Sequence, residues 1–430
     1  MRNPPRVLHL ALAAACAVVF AAPPLLAQAR TPAPTKDSAQ VVYDDDGLRI
    51  HSADGTKQIK IRGYLTADVR TVLNDTNDAS SNGIAMRRAR VIFDANLNSR
   101  VAMRVMYDVA AASGPSPIQD AYVDIGLGGT WWLRGGKQKT PVGLERYMSI
   151  SSQILPERSL ASNMEGGRDL GFLLTGSVAE EHLELSLGVF NGAADGGATQ
   201  DTDANDDKDI TYRVWWKPVR KKVNGAEQGF GLAYDGSTGI ERSSGATGAK
   251  LPTYKTPAQI SFFSYAEGSG VKATGRHSQN NVFAHFHDGA FGTMAEWFGN
   301  TQVVSKGVNT TTVNTGAWVG TLQYTLTGEP SQQEGIVPKT VFDYEKGNWG
   351  AWQVGVRAAQ VHVGDEAFPL YADSTVAPRR ALELGASINW FMTRQTKVQL
   401  AYEHTTFEGG AKVGNRRTER YVQLRWQAYF

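Results

Sequence analysis

Most of the chain alternates apolar with charged or polar residues. From Lys57 onward one unit recurs, about ten residues of period-2 alternation followed by a turn or polar loop. Ile59, Ile61, Leu65, Ala67 and Val69 share one face of the first segment, against Lys60, Arg62, Thr66, Asp68 and Arg70. In the next, Ala89, Val91, Phe93, Ala95 and Leu97 oppose Arg88, Arg90, Asp94 and Asn96, and then Val101, Met103, Val105, Tyr107 and Val109 oppose Arg100, Arg104 and Asp108. The last segment sets Val422, Leu424, Trp426, Ala428 and Phe430 against Tyr421, Gln423, Arg425, Gln427 and Tyr429. A half-buried sheet in a soluble protein also alternates. Here the alternation persists along the chain and the polar face carries fixed charge. A closed barrel with lipid outside and water inside needs that pattern, because closure pairs every backbone group that lipid cannot solvate. Aromatic residues also gather near segment ends, as in Trp131-Trp132, Trp215-Trp216, Trp390-Phe391 and Tyr429-Phe430, where an interfacial girdle would place them. The pattern predicts an all-β, transmembrane, antiparallel up-and-down β-barrel.

Tight turns set the strand count. Asn98-Ser99, Asp288-Gly289 and Thr393-Arg394-Gln395 are short enough to be periplasmic hairpins. About 17 segments qualify, and a bacterial barrel takes an even number. Only one strand fits between 210–217 and 280–288 on that count, so the apolar run Ile260-Ser261-Phe262-Phe263 is expected to be loop. About 16 strands remain. The outer loops then fall at 72–84, 111–117, 139–167, 191–209, 236–279, 301–313, 362–380 and 407–418. The third and fifth are long enough to fold into the lumen.

The N-terminus bears on the compartment. Arg2 and Arg6 precede an apolar run from Leu8 to Phe20, and Ala27-Gln28-Ala29 supplies a small-x-small cleavage site. About 13 apolar residues cannot cross roughly 30 Å of hydrocarbon as a helix. Lipidation at Cys16 is disfavoured because Ala13 stands where a large aliphatic residue is expected. The expected organisation is a cleaved signal peptide over 1–29, a periplasmic segment over 30–56 and the barrel over 57–430. No stretch of 18 apolar residues follows the leader. Cys16 is the only cysteine, so a mature chain beginning near Arg30 has no disulfide or thiolate chemistry. Removing Arg2 and Arg6 takes the formal charge of +2 to zero, which argues against nucleic acid as a partner.

The most distinctive stretch is the third loop. It reads Gly136-Lys137-Gln138-Lys139-Thr140-Pro141-Val142-Gly143-Leu144-Glu145-Arg146, then Pro156-Glu157-Arg158, then Gly167-Arg168-Asp169-Leu170-Gly171. In these residues the chain resembles the phosphate-selective porin O/P family. Further matches are Ser52-Ala53-Asp54-Gly55, Asn191-Gly192 with the acidic loop to Asp209, Leu326-Thr327-Gly328-Glu329 and Asn389-Trp390-Phe391. The resemblance implies a homotrimer of 16-stranded barrels, each narrowed by an inward-folded third loop. It implies small anions such as phosphate or polyphosphate as solutes, with arginines lining the pore and lysines at its constriction. The terminal strand ending at Phe430 resembles the signal read by the outer-membrane insertion machinery.

By alternation the lumen offers Arg62, Arg70, Arg88, Arg90, Arg104, Arg134, Arg213 and Arg357, with Lys137, Lys139, Arg146, Arg158 and Arg168 on or near the third loop. Fixed positive charge and guanidinium forks are what a desolvated oxyanion needs. The same surfaces carry Asp68, Asp94, Asp108, Asp120, Asp124, Glu145, Glu157 and Glu165, so some arginines are expected to brace the wall by cross-strand pairs. The acidic run with Asp201, Asp203, Asn205 and Asp207 begins like a calcium loop, but the turn glycine is missing and Tyr212 stands where a bidentate glutamate belongs. It reads as a solvated outer loop, with weakly bound calcium as the alternative and no other cofactor. His285 and His287 have the spacing of two metal ligands but read as a polar pair in the lumen. No Gly-x-Ser-x-Gly, His-Glu-x-x-His or phosphate-cradling glycine loop occurs, so no enzyme is expected. The expectation is a passive porin surrounded by outer-membrane lipid. The competing one is a receptor, adhesin or structural anchor whose lumen is plugged by the third and fifth loops.

Overall fold

In a computed structural model of the chain, the described residues run from Ser38 to Phe430, apart from 45–46, 74–81, 111–115, 199–200, 202–205 and 244–249. The leader, with Arg2, Arg6 and Cys16, lies outside them. An N-terminal hairpin comprises β1 (Gln40–Asp44) and β2 (Gly47–His51). The wall then runs through β3 (Gln58–Val72), β4 (Gly83–Asn96), β5 (Val101–Asp108), β6 (Ile118–Gly128), β7 (Trp131–Lys139), β8 (Arg168–Val178), β9 (Leu183–Phe190), β10 (Asp209–Val223) and β11 (Ala226–Arg242). A separate small hairpin, β12 (Thr253–Lys255) and β13 (Ser261–Ser264), interrupts it. The wall resumes with β14 (Val271–Asp288), β15 (Phe291–Lys306), β16 (Asn309–Thr325), β17 (Ala351–Val363), β18 (Pro378–Phe391), β19 (Thr396–Gly409) and β20 (Glu419–Tyr429). Each wall strand pairs antiparallel with its neighbours, and β20 returns to β3 with Tyr421 opposite Val72 and Tyr429 opposite Tyr64. Sixteen wall strands thus close a barrel with no free edge. Its last residue is fixed by backbone bonds in both directions between Phe430 and Gly63, 3.0 and 3.1 Å. A Cβ on Gly63 would lie 2.1 Å from the Phe430 ring, so only glycine leaves room for that ring.

Burial is inverted relative to a soluble protein, as a lipid-facing wall demands. Leu65, Val91, Phe93, Leu187, Leu322 and Leu400 are exposed, while Asp68, Arg213, Asn389, Glu403, Gln423 and Arg425 are buried inside. The tight turns after Asn96, Asp288 and Phe391 all lie at one end.

Several expectations need correction. Within the segment expected over 30–56, β1 pairs with β2 and β2 continues the sheet along β3, with Leu48 opposite Ile61. The sixth loop, expected over 301–313, shrinks to a turn at Gly307-Val308, because β15 and β16 extend beyond their apolar band. The fifth loop, expected over 236–279, is shortened by the long β11 and β14. The apolar run at 260–263 contributes β13, which pairs with β12 and not with the wall. Its Phe262 and Phe263 are buried with Leu160 and Met164 of the third loop and Phe298, Val313 and Val361 of the wall. Alternation therefore fails along that stretch of wall, where the inner side is apolar because loops, not water, cover it. At the tight-turn end, residues 326–350 form a long connection. Its buried Ser331 takes a bond from Gln323 at 2.8 Å, contacts His287 Nδ1 at 2.9 Å and donates its amide to Gly289 at 2.8 Å.

Candidate functional site

The third loop, residues 140–167, is bound by inward side chains from much of the wall. Carboxylates accept its backbone amides: Asp235 from Gly143 at 3.0 Å, Glu296 from Leu144 at 2.7 Å and Glu145 at 3.0 Å, and Glu383 from Leu160 at 2.8 Å. Cations hold its carbonyls. Arg213 donates to Gly143 at 2.7 Å, Arg357 to Glu157 at 2.8 Å, Lys397 to Ser151 at 2.8 Å, and Arg425 to Pro156. Hydrogen bonds involving a charged group contribute about 1.5–3 kcal/mol each, so together they fix a segment that has little regular structure.

The motif glycines have steric reasons. Gly143 has φ +77°, and a Cβ there would lie 2.3 Å from Glu165 Cγ. Gly167 touches the fourth loop so closely that a Cβ would overlap the Gly197 carbonyl. Asp169 accepts the Gly192 amide at 2.8 Å, which ties the Arg168-Asp169-Leu170-Gly171 run to the Asn191-Gly192 turn.

A cavity of about 1010 Å3, the candidate passage, lies between the third loop and the β3–β8 side of the wall. Gln259 lines it near the long loops, and Arg394 and Phe430 line it near the tight turns. Arg88, Arg90, Arg104, Arg134, Lys139, Arg146, Arg158 and Arg168 all line it. Lys137 does not. It is buried, with Nζ 2.5 Å from Asp201.

Most of the wall arginines are paired. Arg62 and Arg104 share Asp94, Arg90 meets Asp108 at 2.8 Å, Arg134 meets Asp124 at 2.6 Å and Arg168 meets Asp120 at 2.7 Å. Lys139, Arg146 and Arg158 differ. Lys139 Nζ donates to the Tyr147 and Met148 carbonyls at 2.9 Å, Arg146 Nε to Ser162 O at 2.8 Å and Arg158 Nε to Glu145 O at 3.1 Å. Among the described residues none of the three has a carboxylate within ion-pair distance.

Glu157 is the hub of the opposite sign. Its carboxylate lies 3.0 Å from Arg87, 3.4 Å from Arg88, 3.9 Å from Arg70 and in contact with Arg425. Burial opposes its charge, but Arg87, Arg88 and Arg425 hold it well below the usual carboxylate range. Glu165 goes the other way: burial, with Glu296 and Glu145 nearby, pushes it well above that range.

Arg213, Arg357 and Arg425 belong to the loop's anchorage and not to the passage lining. Arg87 was missed. Strict alternation points it outward, yet a β-bulge leaves Arg87 as the extra residue between the pairs Thr66–Arg88 and Ala67–Met86. The signal was present as a phase slip, with Ile84 and Met86 on even positions but Ala89, Val91 and Phe93 on odd ones. Of the acidic run, Asp201 binds Lys137 and Ser116, Asp207 pairs with Arg242 at 2.8 Å, and Asp203 and Asn205 lie outside the described residues.

Solved structures of similar fold include the outer-membrane channel DcaP of Acinetobacter baumannii, with TM-score 0.53 and 10% identity over 87% of this chain and 98% of that one. OmpT of Vibrio cholerae gives 0.51 and 9% over 91% and 100%, and Pseudomonas putida OprB gives 0.50 and 10% over 88% and 95%. At these identities the likeness is one of fold. No curated protein matches the chain. Residues 59–430, nearly the whole barrel, match the family model described as phosphate-selective porin O and P. A closed sixteen-strand wall and the third-loop motif agree with that match, and the chain is a bacterial outer-membrane porin that belongs to the phosphate-selective porin O and P family.

Proposed function

We propose that this porin passes small anions by passive diffusion along the β3–β8 side of its lumen, without catalysis, and that the third loop forms the constriction. The observation that carries the reading is the group Lys139, Arg146 and Arg158, which line the passage and bind backbone carbonyls, with no carboxylate within ion-pair distance among the described residues. Fixed charge in a narrow, low-dielectric passage is screened less than charge on an open surface, so it raises the local concentration of the opposite ion. Phosphate fits the family name, and three convergent basic groups suit an oxyanion. Passage in single channels tests the proposal. In a potassium chloride gradient across a planar bilayer, chloride should pass more easily than potassium, and added phosphate should partly block the chloride current. A potassium preference overturns it. The plugged-lumen reading draws on the apolar cluster that fills the inner side of β15–β18. A barrel that inserts but conducts nothing would favour that reading. Assembly as a homotrimer belongs to the same proposal, and cross-linking in the native membrane tests it.

A further inference from the structure

The passage is not lined by charge alone. Ile92 and Met106 stand directly opposite one another across β4 and β5, and Leu173 lies on β8 opposite Arg134. All three line the passage, at inward positions where alternation calls for polar residues. The third loop adds Tyr147 and Ile150. Tyr147 is 37% exposed, and its ring is held by the Arg213 guanidinium 4.4 Å from its centre. The apolar strip begins at the edge of the basic group, because the Arg168 guanidinium reaches the Met106 sulfur at 4.0 Å.

Ile92 and Met106 keep 8% of their surface exposed and Leu173 4%, so the apolar surface that reaches the passage comes mostly from Tyr147, and a hydrated inorganic ion has no apolar surface with which to cover it. A solute with a carboxylate at one end and an apolar body at the other can use both surfaces. The passage volume of about 1010 Å3 is also at the top of the range, about 300–1,000 Å3, of sites that hold organic molecules.

We infer that this porin favours aromatic monocarboxylates over inorganic or short-chain anions of the same charge. The carboxylate meets Lys139, Arg158 and Arg168, and the ring covers Ile92, Met106 and Tyr147. The inference rests on the anion reading above and adds the solute class.

The test uses the purified barrel in planar bilayers, with benzoate and acetate as probes of equal charge. Benzoate should half-block the chloride current at about one tenth of the concentration that acetate needs. Tenfold corresponds to roughly 55 Å2 of apolar surface covered, less than one face of the ring. In Met106→Gln, and separately in Leu173→Thr on another strand, the benzoate–acetate gap should narrow to about threefold or less. If wild type responds equally to benzoate and acetate while still preferring chloride to potassium, the inference is overturned and the anion reading stands. If wild type prefers potassium, both are overturned. The wild-type comparison needs no variant, so a substitution that prevents folding leaves the test intact.

Discussion

Replacing Glu157 by glutamine is the most informative single perturbation. The carboxylate contacts Arg70, Arg87, Arg88 and Arg425. In Glu157→Gln, Arg70 and Arg425 keep Asp68, whereas Arg88 loses its only ion-pair partner among the described residues. The lining gains one net positive charge. An ion one screening length away, about 10 Å at 0.1 M salt, feels about 0.4–1.7 kcal/mol from that charge for an effective dielectric constant between about 80 and 20. Screening reduces this to about 0.15–0.6 kcal/mol. Chloride gains that amount and potassium loses it, so the permeability ratio should rise about two- to eightfold. The zero-current potential in a potassium chloride gradient reads the ratio, and the effect should shrink toward 1 M salt, where the screening length is about 3 Å. Because a buried carboxylate is removed from its partners, the temperature of heat-modified migration on gels should also fall; a broken buried pair costs about 3–5 kcal/mol, less whatever the amide recovers by hydrogen bonding. An unchanged or lower chloride preference in a correctly inserted variant refutes the assignment of Glu157 to the conducting path.

Lys139→Gln should lower the chloride preference, while Lys137→Gln should change it less, because Lys137 and its partner Asp201 lie outside the passage lining; equal effects would place both lysines in the path. Gly143→Ala forces a side chain into a left-handed backbone and against Glu165, at about 1–2 kcal/mol for the backbone alone. The third loop should loosen, read as a larger or noisier unit conductance, and a wild-type trace would show that the loop is held elsewhere. Deleting Phe430 removes the two backbone bonds to Gly63 and should lower the yield in the membrane; unchanged yield counts against its role in insertion. On acidification, the stabilising contribution of Glu157, whose folded pKa lies below its free value, is complete above about pH 4.5 and is lost only as pH falls through the folded value. Glu165, shifted upward, gains from protonation as pH falls through its raised value. The heat-modification temperature should therefore hold from pH 7 to 5, and an earlier drop would show that Glu157 is not so held.

The barrel was legible in the sequence because lipid acts on every strand alike. A period of two with apolar residues on one face is the only pattern that suits a wall between hydrocarbon and water, so fold class, strand count and the tight turns could all be read locally. Alternation also turns Arg88, Arg90, Arg104 and Arg134 inward, whereas Arg146 and Arg158 are loop residues that no strand period places. What could not be read was set by partners distant along the chain. Whether an inward arginine serves solute or structure depends on which acid or carbonyl reaches it: Arg213 and Arg357 hold the third loop, and Arg158 binds the Glu145 carbonyl. Lys137 and Lys139 are two residues apart in one strand, yet the first pairs with Asp201 of another loop outside the passage lining and the second lines the passage. Arg87 turned inward through a bulge that strict alternation cannot represent. The apolar inner side of β15–β18 was covered by loops whose course no local period encodes. Alternation records which side of the wall a residue faces, and only closure of the barrel around its loops decides what it meets there.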